Sequence, residues 1–239
     1  EDEVVRPYIE LWPENLTFQH YIHALTATQI GNWYVNSVAV AVGVMVITIL
    51  SSMLCGYALS QLSFPGRKVL WWLILASFMV PLQALIINHF VLVSQLGLIN
   101  TWAGIMLPQL IHPVIIIVYK QFFDQVPRDF REAAVMDNAS ELAILFKVYL
   151  PMNWGVTTAL SIVTFIWTWN AFLWPFLSVT KTEMMTITVG ITQVNDAFGV
   201  YYARELAAAV LAGLPVALAY LLFQRRVTEA ITLSAGIKG

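Results

Sequence analysis

The sequence predicts an all-α transmembrane protein, and its composition and its apolar runs carry that prediction. Of the 239 residues, 59% are hydrophobic and 11% are charged, whereas a soluble domain carries about 25% charged residues. The mean hydropathy of +0.73 is higher than a water-exposed surface tolerates, so lipid is the expected solvent for most of the chain. The apolar runs also suit spanning helices, since about 20 residues cross the hydrocarbon of a bilayer.

Five apolar runs, separated by turns or by charged stretches, predict five spans. They cover residues 33–62, 69–94, 101–119, 153–179 and 206–223. A turn with two positive charges, at Pro65 to Lys68, separates the first two, and a polar connection, 180–205, precedes the last. Prolines are expected to interrupt the predicted helices, because proline lacks the backbone N–H that a helix interior needs. These prolines are Pro81, Pro108, Pro113 and Pro175.

The distribution of Lys and Arg predicts which side of the membrane each loop occupies. Nine of these residues lie on one side and three on the other if the five spans alternate. The nine are Arg67, Lys68, Lys120, Arg128, Arg131, Lys147, Arg225, Arg226 and Lys238. Positive loops are cytoplasmic, so loop 120–152 is predicted to be cytoplasmic and loop 180–205 external. Residues 1–32 are then an external segment, and we expect a missing first span before them, which makes six.

Searches for catalytic and ion-coupling groups give little. No predicted span carries an acid, Lys or Arg, which argues against a proton- or sodium-driven carrier with an intramembrane acid relay; sodium sites built from backbone carbonyls escape this test. The chain lacks a phosphate-binding loop, so it is not expected to bind ATP in that way. His20 and His23 are three residues apart, and a solvated pair is the simpler interpretation. We predict no metal site and no enzyme activity.

Residues 127–151 predict a helix, a bend and a second helix. Pro127 suits a helix start, and Phe130, Ala133 and Ala134 share one face of the first helix. Asp137-Asn138 is the predicted bend, because Asn tolerates the left-handed conformation that ends helices. The apolar stripe predicted on the second helix consists of Leu142, Leu145, Phe146 and Tyr149. Such an element can be gripped by a partner or can lie among the lipid headgroups.

The sequence Glu132-Ala133-Ala134-x-x-Asp137-Asn138-Ala139, followed by Leu150-Pro151, resembles the EAA motif of ABC importer permeases. The resemblance covers nearly the whole chain and is to the maltose-transporter type, a binding-protein-dependent, carbohydrate-uptake class. Further matching motifs, in the family's order, are Asn36-Ser37, Gly56-Tyr57-Ala58-Leu59, Phe64-Pro65-Gly66-Arg67, Pro81, Leu96-Gly97-Leu98, Trp169-Asn170-x-Phe172-Leu173-x-Pro175 and Ala235-Gly236-Ile237-Lys238-Gly239. Asn138 stands where the family usually has Gly.

The resemblance implies a type I ABC importer permease fold with six spans in the bacterial cytoplasmic (inner) membrane. It implies coupling to a cytoplasmic ATPase through Glu132, Ala133, Ala134, Asp137, Asn138, Ala139, Leu142, Leu150 and Pro151. It implies a tail that docks on the ATPase through Ala235, Gly236, Ile237, Lys238 and Gly239. The implied partners are a second permease chain as a heterodimer, two ATPase copies that bind the ATP and Mg, and an extracytoplasmic binding protein. This chain itself is expected to bind no cofactor and no nucleic acid.

Two further sets of residues are candidates for contact with substrate and binding protein. Aromatic rings stack on sugar faces and Asn serves hydroxyls, so the predicted pathway residues are Trp167, Trp169, Asn170, Phe172 and Asn88. Helix packing, with an aromatic belt at the membrane interface, is the alternative for this run. In loop 180–205 the predicted contacts with the binding protein are Gln193, Asn195, Asp196 and Phe198. A simple connector is the alternative there.

The sequence thus favours half of the translocation pathway of an ATP-driven importer, for an oligosaccharide or a related glycosyl or polyol compound. A secondary transporter or channel that acts without an ATPase is the alternative. It offers no reason for the pattern at 127–151. A membrane-embedded enzyme would need paired acids, metal ligands or a nucleophile with its base, and the predicted spans hold none of these sets.

Overall fold

The computed structural model describes residues 17–194 and 202–236, with side chains described up to 221. Every regular element within these ranges is helical. In chain order the α-helices are α1 (Gln19–Ala27), α2 (Ile30–Gln61), α3 (Arg67–Phe78), α4 (Leu82–Gln95), α5 (Trp102–Met106), α6 (Pro113–Asp124), α7 (Arg128–Met136), α8 (Glu141–Ile144), α9 (Leu150–Met152), α10 (Trp154–Trp169), α11 (Leu173–Ser178), α12 (Ile187–Gly190) and α13 (Tyr202–Gly236). Tighter 3₁₀ turns cover Leu107–Gln109, Thr182–Met184 and Ile191–Gln193, and a π-helical turn covers Leu145–Tyr149.

Helix α2 is the centre of the packing. Its 32 residues extend for about 48 Å, longer than the roughly 30 Å of bilayer hydrocarbon. It packs most extensively against α6 and α10, and α10 in turn packs against α13. Helix α2 therefore contacts elements from both halves of the chain. Loops pack against each of its two ends.

Helix length supports fewer spans than the five predicted. Two helices in the described part of the chain are long and apolar enough to cross a membrane, α2 and the Tyr202–Leu221 part of α13. The pair α3 and α4 is bent by 100°, and α5 with its 3₁₀ turn is bent by 53° against α6. Counting each bent pair as one span gives four.

Proline positions and one Asn explain the breaks. Pro81 caps α4 and Pro113 begins α6, where a missing backbone N–H costs nothing. The predicted span 153–179 is divided at Asn170 into α10, with 16 residues, and α11, with 6. The last helix continues to Gly236, beyond residue 223 where the sequence predicted the span to end.

The loop after α11 is fixed to the start of α2. Buried Asn36 donates from Nδ2 to the carbonyls of Glu183 (2.8 Å) and Met185 (3.0 Å). Its Oδ1 accepts from Trp102 Nε1 at 2.9 Å, and the Ser37 hydroxyl accepts from the Ile187 N–H at 2.7 Å. A buried polar group needs such partners, so residues 182–187 are held to this end of α2.

A second polar cluster lies at the other end of α2. The Ser60 hydroxyl donates to Asp124 Oδ1 at 2.6 Å, and Lys120 pairs with Asp124 at 2.5 Å. Arg67, which begins α3, donates to the Ser60 carbonyl at 3.2 Å. The positive turn before α3 and the end of α6 therefore lie together, at the opposite end of α2 from residue 183.

Candidate functional site

The segment from α7 to α9, residues 128–152, contains α7, a helix on which most residues are exposed. Helix α7 has no buried residue, and only Arg131 and Ala134 on it are even partly buried. These two are three residues apart, so they share one face of the helix. The opposite faces expose Phe130, Glu132 and Ala133. An element of this kind presents most of its surface to whatever lies beyond the chain.

The bend after α7 is a left-handed helix end formed by Asn138. Its φ is +57°, its N–H donates to the Val135 carbonyl at 2.9 Å, and the Ala139 N–H donates to the Ala134 carbonyl at 3.0 Å. These two bonds define a Schellman motif, in which a residue with positive φ satisfies the last helical carbonyls. The prediction that Asn138 forms the bend is confirmed.

The second helix of the segment differs from its predicted pattern. Ser140 caps it by accepting from the Ala143 N–H at 3.3 Å. A π-helical turn then interrupts the regular spacing just before Pro151, because the proline ring and its missing N–H disturb the preceding turn. The prediction that one face of this helix carries a continuous apolar stripe is therefore wrong. Leu145 and Tyr149 are buried, whereas Leu142 and Phe146 are exposed.

Four buried rings lie beneath the segment and are called here the aromatic base: Tyr57, Tyr119, Phe123 and Tyr149. Tyr57 meets Tyr149 edge to face with ring centroids 5.1 Å apart, and Phe123 meets Tyr149 edge to face at 5.5 Å. Such edge-to-face pairs are favourable beyond the area they bury. The aromatic base joins α2, α6 and the π-helical turn, so the segment is packed onto buried rings at this end of the molecule.

A polar link connects α7 to this base. Glu141 Oε1 accepts from Arg131 Nη2, and Glu141 Oε2 accepts from the Tyr57 hydroxyl at 2.6 Å. Burial lowers the pKa of the Arg131 guanidinium, but its contacts with Tyr57 and Glu141 raise that pKa above its ordinary value overall. Sequence reasoning did not find this link, since its three residues lie on three helices and no spacing rule connects them.

The predicted coupling residues lie on α7, at the bend and on the helical turns that follow it. Glu132, Ala133, Asp137 and Leu142 are exposed, Ala134 and Ala139 pack against the buried cluster that contains the aromatic base, and Pro151 is exposed beside half-buried Leu150. We call the docking surface the exposed residues Phe130, Glu132, Ala133, Met136, Leu142 and Phe146. Met136 is 82% exposed. Four large apolar side chains on one projecting element are costly to leave in water, which indicates a covered surface.

The predicted docking tail is described only in part. The backbone of α13 is helical through Ala235 and Gly236. Ile237, Lys238 and Gly239 lie outside the described residues.

The predicted pathway residues divide into exposed ones and one packing residue. Asn88, Trp167, Asn170 and Phe172 are exposed. Trp169 is 2% exposed and donates to the Ala212 carbonyl at 3.2 Å. Its ring therefore packs α10 against α13 and cannot face a solute in this conformation, which corrects its placement among the pathway residues.

One exposed pathway candidate, Trp167, lies beside a histidine, and another, Asn170, lies at a helix break. Trp167 lies beside His112, with ring centroids 6.0 Å apart. Among the described residues, the Asn170 side chain makes a local hydrogen bond, from Nδ2 to the Ile166 carbonyl at 2.9 Å, and its amide oxygen has no partner. Irregular backbone at membrane depth is tolerated where it lines a cavity or lies within protein.

Of the predicted contacts with a binding protein, only Gln193 lies in the described part of the chain, where it is exposed. Asn195, Asp196 and Phe198 lie outside the described residues. The start of this loop is held by Asn100, whose φ is +61°. The Asn100 Oδ1 accepts from the N–H of Thr180 (2.7 Å) and of Lys181 (3.0 Å).

Comparison with known proteins identifies the family. Residues 48–229 match the model of the family described as binding-protein-dependent transport system inner membrane component. The arabinooligosaccharide transport permease AraQ of Bacillus subtilis is 30% identical, over 97% of this chain and 82% of that protein. The sulfoquinovosyl glycerol permease SmoH of Agrobacterium fabrum is 32% identical, over 100% of this chain and 84% of that protein. The diacetylchitobiose permease NgcG of Streptomyces coelicolor is 31% identical, over 92% and 74%.

A solved structure shares the fold. It is a chain of a bacterial ABC transporter involved in the import of the acidic polysaccharide alginate, with a TM-score of 0.82 and 23% identity over 94% of this chain and 84% of that one. The projecting helix–bend–helix, the apolar helices and the family match agree with the resemblance inferred from the sequence. The chain belongs to the family of binding-protein-dependent transport system inner membrane components, the permeases of ABC importers.

Proposed function

We propose that this chain is one of two permease subunits of an ATP-driven, binding-protein-dependent importer for an oligosaccharide or a related glycosyl or polyol compound. A separate ATPase binds the docking surface and supplies the energy of ATP hydrolysis. This chain forms half of the translocation pathway for the solute. Five spans, with residues 120–152 in the cytoplasm and 180–205 outside, complete the proposal.

The docking surface is the observation that carries the proposal. It combines exposed apolar side chains with Glu132 and with small Ala133, which permits close approach by another backbone. Beneath it, Ala134 packs against the buried cluster that contains the aromatic base, and Arg131 is connected through Glu141 to Tyr57 of α2. These contacts provide a route by which a movement of α7 can reach α2.

The chemistry of the exposed pathway candidates supports a neutral, hydroxyl-rich solute. Asn88 and Asn170 offer amide donors and acceptors, and Trp167 and Phe172 offer exposed ring faces. Ring faces and amides suit the apolar faces and hydroxyls of a sugar. The relatives AraQ and NgcG are named for arabinooligosaccharides and diacetylchitobiose, which are neutral and rich in hydroxyls, whereas SmoH is named for sulfoquinovosyl glycerol, which adds a sulfonate to a glycosyl glycerol.

The test begins with the partners. The chain is tagged, expressed in its own host and purified from mild detergent, and the co-purifying proteins are identified by mass spectrometry. The proposal predicts an ABC ATPase at two copies per complex and a second permease chain at one copy. The proposal is contradicted if the chain purifies alone from a host that expresses an ABC ATPase and a second permease chain from adjacent genes.

Reconstitution then separates the proposal from its rival. The complex and its binding protein are placed in liposomes with ATP on the ATPase side, and uptake is measured for labelled lactose, arabino-oligosaccharide and glycerol 3-phosphate. ATP-dependent uptake of a panel member is expected. Uptake by this chain alone, driven by a proton or sodium gradient, would instead establish a secondary transporter.

A further inference from the structure

Helix α7 is attached to the rest of the chain at few points. Within the part of the chain that the structure describes, it packs closely against no other helix, and none of its residues is buried. Its backbone continues into α8 through the Asn138 bend, and Ala134 packs against the buried cluster that contains the aromatic base. Besides these, the described side-chain contacts of α7 with other helices come from Arg131, which donates to Glu141 and interacts with Tyr57.

Glu141 connects α7 to α2, although it lies on neither helix. One carboxylate oxygen accepts from Arg131 of α7, and the other accepts from the Tyr57 hydroxyl of α2 at 2.6 Å. Tyr57 is 4% exposed and its ring is locked in the aromatic base. The two donors therefore differ in their surroundings, since Tyr57 lies in the packed interior on α2 and Arg131 lies on the projecting helix α7.

The local structure favours this use of a carboxylate. Glu141 is the first residue of α8, directly after the Ser140 cap, where the helix dipole favours a negative charge. Charge-assisted hydrogen bonds are shorter and stronger than neutral ones. The Arg131 and Glu141 side chains are 27% and 43% exposed, and an exposed ion pair contributes little stability. The link is therefore better suited to holding a position than to stabilising the fold.

We propose that Glu141 is a positioning residue for coupling, which joins α7 to α2 so that the two helices move as one body. The inference rests on the proposed function, since it assumes that a partner moves α7. With Glu141 in place, α7 is held both by the bend at Asn138 and by the side-chain link. Without Glu141, Arg131 and Tyr57 lose the carboxylate that bridges them, so α7 swings more freely about the bend and less of its movement reaches α2.

The test measures the distance between α7 and α2 in the purified complex. Spin labels are attached to cysteines at Asp129 of α7 and Leu54 of α2, which are both exposed. Cys55, the only cysteine of the chain, is first replaced by Ala. Electron–electron resonance gives the distance distribution, without nucleotide and after trapping with MgATP and vanadate. The intact link predicts a narrow distribution whose mean is the same in both states.

Two variants break the link from different sides. Glu141→Ala removes the carboxylate, and Tyr57→Phe removes one hydroxyl while it keeps the ring in the aromatic base. Both are expected to broaden the distribution about twofold or more. ATP hydrolysis by the complex with its binding protein should fall about fivefold or more in Glu141→Ala, with the co-purified ATPase unchanged in amount. Glu141→Gln, which retains an acceptor, should lie between wild type and Glu141→Ala.

Ser140→Ala is the matched control, because it removes the cap of α8 but leaves Arg131, Glu141 and Tyr57 in place. This variant should leave the width of the distance distribution between α7 and α2 at the wild-type value. Wild-type width in both Glu141→Ala and Tyr57→Phe would overturn the inference, and so would equal broadening in Ser140→Ala. Failure of the proposed function is separate, because then no ATPase accompanies even the wild-type chain.

Discussion

Gly56 of α2 lies against Tyr119 of α6 with no room for a side chain between them. A Cβ at position 56 would come within 2.7 Å of the Tyr119 Cβ and within 3.1 Å of the Lys120 backbone nitrogen. Small residues allow helices in membranes to approach this closely. The contact lies one residue from Tyr57, so it sets the spacing on which the aromatic base depends.

Gly56→Ala is therefore expected to push α2 and α6 apart and to lower the free energy of unfolding by about 1–3 kcal/mol, as overpacking does. The measurement is the thermal unfolding midpoint of the purified complex. Gly31→Ala, in the same helix, meets nothing within 4 Å and is the control. It should be neutral or should stabilise by up to about 1 kcal/mol, since Ala favours a helix over Gly. Equal midpoints for both variants would contradict the close contact.

Asn138 provides a second prediction, because its φ of +57° suits Gly or Asn far better than a branched residue. Asn138→Gly should keep the stability and transport of the wild type. Asn138→Val should destabilise the bend by about 1–2 kcal/mol and reduce transport, since α7 would leave its position. Unfolding midpoints and uptake rates for the two variants provide the comparison. Wild-type behaviour of Asn138→Val would show that the bend does not need the left-handed conformation.

Asn36→Leu should release the loop after α11 from the start of α2. The substitution leaves the Trp102 indole N–H and the Glu183 and Met185 carbonyls without their partner, which costs about 1–3 kcal/mol for each group left buried and unpaired. Hydrogen exchange of the backbone amides at 184–188 should become faster. Asn170→Ala is the control, since it removes only a local bond. Unchanged exchange in Asn36→Leu would contradict the role of Asn36.

Much of the local structure was predictable from the sequence because single residues determine it. Asn138 in a polar break predicts a left-handed bend, and Pro81 and Pro113 predict helix interruptions, since each acts through its own backbone. The central helix α2 follows from an uninterrupted apolar run. The docking surface follows in outline from the motif around Glu132 and Ala133.

The parts that the sequence could not predict depend on contacts between distant residues. The Tyr57–Glu141 bond joins positions 84 residues apart, and the Asn36 bonds to the loop join positions about 150 apart. The π-helical turn before Pro151 rotated Phe146 out of the expected stripe, because helical periodicity assumes a regular helix. Trp169 was misplaced because an aromatic ring beside Asn suits a sugar and a helix interface equally well.

Glu132→Lys should uncouple transport without preventing membrane insertion. Glu132 is exposed on the docking surface, and reversal of its charge would place a group of opposite charge where we propose that the ATPase binds. Uptake and transport-linked ATP hydrolysis are expected to fall about tenfold or more. Expression in the membrane fraction should match wild type. Glu183→Lys, an exposed carboxylate at the opposite end of α2, should leave the amount of co-purified ATPase unchanged.

The central claim is that the docking surface contacts an ATPase, and site-specific photo-cross-linking tests it most directly. A photoreactive residue is placed at Ala133 or at Met136, which is 82% exposed, and in a control at Gln193, at the far end of the molecule. After irradiation in native membranes, mass spectrometry identifies the cross-linked peptides. The account predicts peptides of an ABC ATPase from positions 133 and 136 and none from 193. Cross-links from 133 and 136 to lipid alone would contradict it.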